Sequence, residues 1–435
     1  MPVVLSATMA EIEEASAHSG GLHIGQKGLV GEESLTNFDC SIWYAARVGD
    51  VLEGRYKILG KVAHGGSSTI WLAEDLETKA IDVLKISIKY SKDDFREARA
   101  FERIDECATT TKHPGFRCLQ RPLNTFIITS ERSGRHQCFL TTPSACHIEE
   151  AWRLLGDFPL SLTKEVLGNT LKALDFLHTE IRLIHTDVKL DNILFGFKDK
   201  RIVKVYIEEL RRNPAQAKMH KGKDGAEYPV TAAKPFVLHK DSFAKPKLND
   251  LGESVELPNN KGHFHEWKEC SPKAFRAPEI ILGRPFNESI DCWMVGCITL
   301  QLLTGKVPIK PHGPNQPWTE AYTLAQQHAL LGPPPKAFLE KSESAQEYWN
   351  EDGEWIYAKH TVPAISLESM LAVVEDPEQR EKALYFVRCC LQWLPEDRLS
   401  AGELAKHDFL VRTRRGRVWR NLKTLFKKVM RKEGK

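Results

Sequence analysis

Between Ile184 and Leu194 the chain reads I-H-T-D-V-K-L-D-N-I-L. It sets a carboxylate at Asp187, an ammonium at Lys189 and a carboxamide at Asn192 just ahead of an apolar pair. Little covalent chemistry is asked of a protein that moves a phosphoryl group. It must place an acceptor for a hydroxyl proton, a cation for phosphate charge and a neutral oxygen ligand for a divalent metal. Asp187, Lys189 and Asn192 would fill those roles in that order. A strand-initiating turn with surface charges uses the same residue types, so the reading rests on what the remainder of the chain supplies.

A chain of 435 residues suits two or three lobes or domains rather than one small core. With 42% hydrophobic and 27% charged residues the composition is that of an ordinary soluble globular protein. The opening MPVVLSATMAEIEEA holds only a short apolar run before acidic residues, so no signal peptide is expected. The longest apolar window, Cys292 to Leu303, is broken by Gln301 and is too short to cross a bilayer. The expected location is cytoplasmic or nuclear, neither secreted nor transmembrane. Ten cysteines without C-x-x-C spacing read as buried free thiols in a reducing compartment, with no zinc site. The net charge of +3 conceals a split: residues 412–435 carry eleven Lys and Arg against one Glu. The body is therefore acidic and the tail strongly basic.

In chain order, residues 1 to about 45 show no sustained period and are expected to be disordered. Arg55 to Ala73 alternates apolar and polar positions around a Gly-rich centre, Ala63-His64-Gly65-Gly66-Ser67-Ser68, which predicts two strands joined by a tight turn. A third strand follows over Ala80 to Ile88, with Lys85 inside its apolar run. An ammonium there is costly unless paired, and Glu97 on the following helical stretch is the expected partner. His136 to Thr142 reads as another strand running into Pro143, and Ser161 to Glu180 carries a helical stripe that ends at the loop above. Residues 197–246, rich in Lys, Arg, Pro and Ala, are expected to be a surface excursion, partly ordered and removable. Asp250-Leu251-Gly252 comes next, then Ala277-Pro278-Glu279 and the helix from Asp291. Arg398 is the expected buried partner of Glu279.

Taken together and in that order, these stretches resemble the eukaryotic protein kinases, and among them the SR-protein kinase-like Ser/Thr group common in fungi. The specific carriers are His185-Thr186-Asp187, Ser67 to Ala73, Asp250-Leu251-Gly252, Leu331 to Leu339 and Glu351 to Trp355. The resemblance implies an α+β fold of two lobes, a small and mainly antiparallel N-lobe with one key helix and a larger helical C-lobe. It places a kinase domain over 46–411, with lobes at about 46–142 and 145–411 and an insert at about 197–246. ATP and Mg²⁺ are the implied cofactors, and a Ser or Thr hydroxyl is the acceptor. Asp187 and Lys189 would be catalytic, with Asn192 and Asp250 on the metal. The nucleotide would meet Val62, Ala63, His64, Gly65, Gly66, Ser67, Ser68, Ile70, Val83, Lys85, Glu97, Leu194 and the hinge residues Thr141, Thr142 and Ser144.

Departures matter: Ala63 stands for the first loop glycine, and Thr186 for the arginine that reads an activation-loop phosphate. The segment expected to dock Arg-Ser substrates, Lys310 to Leu330, has Glu320 as its one acidic residue. Protein substrates and a monomeric state are expected, without direct nucleic-acid binding. A pseudokinase scaffold is the alternative from a different class. The tail from 412 spaces Val418, Trp419, Leu422, Leu425, Phe426, Val429 and Met430 as an amphipathic helix among cations. Such a helix suits an acidic partner, an anionic membrane, packing on the protein's own surface, or nuclear import.

Overall fold

The computed structural model describes residues 31–411 apart from 90–95, 223–224, 239–241, 258–269, 311–318, 341, 358–361 and 364; the basic tail lies outside the described residues. The chain divides into two units. The smaller comprises the residues up to Phe95 together with Arg121–Ala145 and Gly196–Ala244, and the larger comprises Arg96–Gln120, Cys146–Phe195 and the chain from Lys245 onward.

The smaller unit is built on one sheet. Its strands are β1 (Val51–Leu52), β2 (Tyr56–His64), β3 (Ser68–Asp75), β4 (Ile81–Lys89), β5 (Pro122–Ser130) and β6 (Gly134–Thr141), in the order β1-β2-β3-β4-β6-β5. All the paired strands run antiparallel. Because side chains alternate between the two faces of a strand, Tyr56, Ile58, Trp71, Ala73, Leu84 and Ile86 gather on one face in a core with Ile128, Cys138 and Leu140. The opposite face carries Leu59, Val62, Leu72 and Val83, and it is covered as well.

That cover is the segment expected to be a removable excursion, and the expectation is corrected. Helix Arg201–Arg212 lays Val203, Tyr206, Ile207 and Leu210 on the sheet, with Phe236 beside them, and leaves Leu72 with no exposed surface. Gly60 explains how the helix comes so near. A Cβ at that position would stand 2.6 Å from Leu210 Cδ1, so the strand gives up a side chain where the helix crosses it. The insert then forms a hairpin, Ala217–Lys221 with Glu227–Thr231, whose Tyr228 and Val230 are buried.

Residues 31–45, expected to be disordered, are also packed. Cys40 and Trp43 join Tyr228 and Val230 in a second cluster. Glu32 and Lys61 form an ion pair with almost no exposed surface, and Tyr228 donates its hydroxyl to Glu32 Oε1 at 3.0 Å. Lys61 alternates with apolar neighbours and so looks solvent-facing in the sequence; in the fold its ammonium is enclosed by the leading segment and the hairpin. Burial pushes that ammonium down to about 7. A buried charge is tolerated only while its partner stays.

The larger unit is helical. Helix Leu160–Phe176 buries Val166, Leu167, Leu171 and Leu174, the stripe read from the sequence, and helix Ser289–Thr304 is buried along nearly its whole length. Among the described residues no helix is long and apolar enough to cross a membrane.

Leu210→Ala removes the side chain that fits against Gly60. It is expected to lower stability by about 2–5 kcal/mol, whereas Val205→Ala, at a position 66% exposed on the same helix, changes it by under about 0.5 kcal/mol. Denaturant unfolding of the two variants checks this, and equal, small effects would contradict the packing described.

Candidate active site

The 184–194 loop follows helix Leu160–Phe176 and a short π-helical turn, Leu177–Ile181, that Arg182 closes in the left-handed conformation. The loop is then fixed from beneath by Asp291, a fully buried carboxylate in the first turn of helix Ser289–Thr304. Asp291 Oδ2 accepts from His185 N at 2.8 Å and meets His178 Nε2 at 2.7 Å, while Oδ1 accepts from Thr186 N at 2.9 Å. An unpaired buried carboxylate is expensive, and here three donors satisfy it.

Those bonds hold Thr186 at φ 66°, a conformation that a β-branched residue rarely takes. Its hydroxyl donates to Glu253 O at 2.7 Å, joining the loop to the residue after Asp250-Leu251-Gly252. Asp250 itself sits at φ 65°. Two strained non-glycine residues, each over-determined by its surroundings, mark a functional segment. Further bonds join the same two stretches: Asn249 N to Asn192 O at 2.8 Å, and His185 Nε2 to Asn249 O at 3.1 Å. Because that carbonyl can only accept, the His185 ring carries its proton on Nε2, and Nδ1 accepts from Asp187 N at 3.3 Å.

Above this frame Asp187, Lys189 and Asn192 converge. Lys189 Nζ lies 2.8 Å from Asp187 Oδ2, and Asn192 Nδ2 donates to the same oxygen at 2.7 Å and to Asp187 O at 2.9 Å. With the amide nitrogen committed to Asp187, the Asn192 amide oxygen is left for a cation. A Cβ at Gly252 would stand 3.2 Å from Asp250 Oδ1 and 4.0 Å from Glu97 Oε2, which puts the Glu97 carboxylate beside the Asp-Leu-Gly turn. Partial burial raises the Glu253 carboxyl, and the nearby Asp187 and Asp250 push it the same way against Arg96.

A protein kinase domain model matches residues 236–410. A serine/threonine protein kinase of Aspergillus fumigatus is 32% identical over 385 residues, covering 87% of this chain and 90% of that one. The chain belongs to the serine/threonine protein kinases. A kinase of Physarum polycephalum named SRPK is 26% identical over 403 residues (87% of this chain, 91% of that one). A kinase of Arabidopsis thaliana named AFC1 is 27% identical over 387 residues (85% and 74%). These relatives bear out the SR-protein kinase-like resemblance and the kinase fold, although helix Arg96–Glu106, expected in the N-lobe, groups with the larger unit. The pseudokinase alternative finds no support in them.

In the smaller lobe of this kinase the Gly-rich turn closes with Gly65 N donating to Ser68 O at 2.8 Å. Burial lowers the His64 imidazole to about 4, and Lys61 adds to the effect. Lys85 lies half-buried on β4, opposite Ile70 and Phe139 in register, with its ammonium 5.6 Å from the Phe139 ring centroid. Lys85 belongs to the smaller unit and Glu97 to the larger. Thr141 ends β6, and the chain enters the larger unit at Cys146, after Thr142 and Ser144.

Sequence reading missed two things. One is that Val62 and Val83, expected against the nucleotide, share a cluster with Phe236 and Leu238 of the insert. The other is Asp291, for which a signal existed: a lone carboxylate opening an apolar helix, I-D-C-W-M-V, has to be buried with donors.

The Glu279–Arg398 pair forms as expected, bidentate at 2.5 and 2.7 Å with both side chains fully buried. Arg398→Met strands the Glu279 carboxylate and is expected to cost about 3–5 kcal/mol. Calorimetric melting would show this as a clear loss, and an unchanged transition would mean the pair is not structurally needed.

Proposed function

We propose that this kinase transfers the γ-phosphoryl group of ATP to Ser and Thr hydroxyls, with Asp187 as the group that orients the acceptor hydroxyl and takes its proton. The observation that carries this is the double contact on Asp187 Oδ2 from Lys189 and Asn192. It fixes the carboxylate and leaves Oδ1 for the hydroxyl. Lys189 stands where it can offset phosphate charge, and electrostatic placement of this kind is most of what phosphoryl transfer requires.

ATP supplies the transferred group when bound, and Mg²⁺ neutralises its charge. The donor set fits such an ion. Mg²⁺ prefers a site of this kind, one carboxylate and one neutral oxygen with substrate phosphates completing the shell. Asp250 and Asn192 would hold it. Lys85 would face phosphate oxygens, and the backbone of Gly65, Gly66, Ser67 and Ser68 would approach them. Ala63, His64, Ile70 and Leu194 would line the base, with Thr141, Thr142 and Ser144 beside it, whereas Val62 and Val83 pack against the insert. Glu97 would steady Lys85.

A basic sequence around the acceptor is favoured by a second observation. Next to the catalytic loop Glu149 is paired with Arg153 at 3.1 Å, yet burial still raises its carboxyl, and Asp191 adds to the shift by repulsion and by sharing a hydrogen bond. Glu150 and His147 stand beside them, with His147 Nδ1 3.4 Å from Asp191 Oδ1. Crowded carboxylates with raised affinity for protons gain from an incoming guanidinium or ammonium. An Arg-Ser context is one such sequence.

Asp187→Ala is expected to lower kcat by about 10²- to 10⁴-fold while ATP still binds. Phosphate incorporation into degenerate Ser/Thr peptide libraries, read for wild type and variant, tests both parts. An undiminished rate in the variant would defeat the assignment of Asp187. Indifference to basic residues in the library would defeat the substrate preference alone.

A further inference from the structure

The insert that covers the sheet also builds a surface that phosphoryl transfer does not use. In the smaller unit, where the end of helix Arg201–Arg212 and the hairpin meet β2, a cavity of about 410 Å³ opens. Val48, Leu59, Leu210 and Met219 provide its apolar walls, and Arg47 and Lys218 provide its charge. The volume is within the range of about 300–1,000 Å³ that binding pockets occupy.

Two features indicate that the cavity receives something from outside. Val48 and Met219, both lining it, are 55% and 46% exposed, so large apolar side chains face solvent around one opening. Isolated exposed apolar residues are ordinary, but two that share an opening form a patch. Methionine in particular adapts to varied apolar partners. The other feature is charge. Lys218 is neutralised by Glu33 at 2.9 Å, but among the described residues no carboxylate pairs with the Arg47 guanidinium. Residues 197–246 carry twelve Lys and Arg against six Asp and Glu, and beside Leu210 the exposed Arg211 and Arg212 are offset by the exposed Glu208 and Glu209, so the excess of positive charge comes from the segment as a whole. The positive field therefore extends past the cavity itself. That suits an extended acidic chain better than a compact solute, since complementary charge steers the encounter while an apolar anchor supplies the binding.

We propose that this cavity docks an acidic peptide segment of a partner protein, with one apolar side chain seated between Leu59, Leu210 and Met219 and a carboxylate on Arg47. The surface lies wholly in the smaller unit, on residues given no part in phosphoryl transfer, so it stands or falls apart from the catalytic assignment.

The test uses the full chain and a fluorescein-labelled peptide of the pattern Glu-Glu-Leu-Glu-Glu-Phe-Glu, which has no acceptor hydroxyl, followed by anisotropy. Arg47→Glu reverses the anchoring charge, and Ala217→Trp fills the cavity from its wall. Each variant is expected to weaken binding at least tenfold while phosphorylation of a basic Ser peptide stays at the wild-type rate, which shows that the variants fold. Replacing Leu and Phe of the peptide by Ser should weaken binding to the same degree. Binding that survives Ala217→Trp and the Ser peptide but vanishes in high salt would reduce the surface to non-specific charge and overturn the proposal. A tenfold gain in affinity on removing residues 1–30 would give the cavity to the chain's own leading segment, and would overturn it as well.

Discussion

One buried carboxylate organises the catalytic half of this kinase. Asp291 accepts from His178, His185 N and Thr186 N, and it carries no exposed surface. Each of those donors would otherwise be a buried polar group without a partner, at roughly 1–3 kcal/mol apiece. The strain of Thr186 at φ 66° is of the same size, about 1–3 kcal/mol, so the bonds to Asp291 are sufficient to hold it. With Thr186 held, its hydroxyl reaches Glu253 O, and Asp187 follows in the chain with its carboxylate facing Lys189 and Asn192. The geometry of the reacting groups is thus inherited from a residue more than a hundred positions away.

The polar half of this arrangement was legible because its chemistry is local. Asp187, Lys189 and Asn192 lie within six residues, and the contacts among them are set by one loop. The Glu279–Arg398 pair was legible for another reason: two lone charges in apolar stretches have few places to go but to each other. The smaller unit was half legible. Alternation along β2, β3 and β4 predicts strands, but it does not say what covers each face. The clue lay in Ile70-Trp71-Leu72-Ala73, where polar alternation fails. A continuous apolar run in a strand implies burial on both faces. Trp71 and Ala73 serve one core, and Leu72 serves the other. A second layer was therefore required, and the insert was the segment available to supply it.

Residues 31–45 and Lys61 went unread together, for one cause. Glu32 and Lys61 are 29 positions apart, and neither carries a local signal of burial, since each sits among residues that a surface would tolerate. Only the hairpin at Tyr228, nearly two hundred residues further on, closes the space around them. A charge pair whose burial depends on three distant segments leaves no periodic trace in any one of them. Two of those segments, β2 at Leu59 and Gly60 and the hairpin at Met219 and Pro229, also border the cavity, so the fold feature and the proposed docking surface share elements.

The region after Asp250 shows how magnitudes rank the remaining contacts. Helix Arg96–Glu106 reaches it through Arg96–Glu253 at 3.5 Å and Arg103–Glu256 at 3.0 Å. Both arginines are about one-third exposed and both carboxylates more than half, so each pair is worth up to about 1 kcal/mol and salt weakens it. Leu251 is 1% exposed, and full burial of a leucine is worth about 1.5–3 kcal/mol. The hydroxyl bond from Thr186 to Glu253 O adds about 1 kcal/mol. Packing of Leu251 and the Thr186 bond therefore outweigh the ion pairs in holding this turn. Both belong to the unmodified chain. An arginine at position 186 would have offered neither the hydroxyl nor its reach to the Glu253 carbonyl, so the exchange for threonine replaces a site for an added charge with a bond that the sequence always carries.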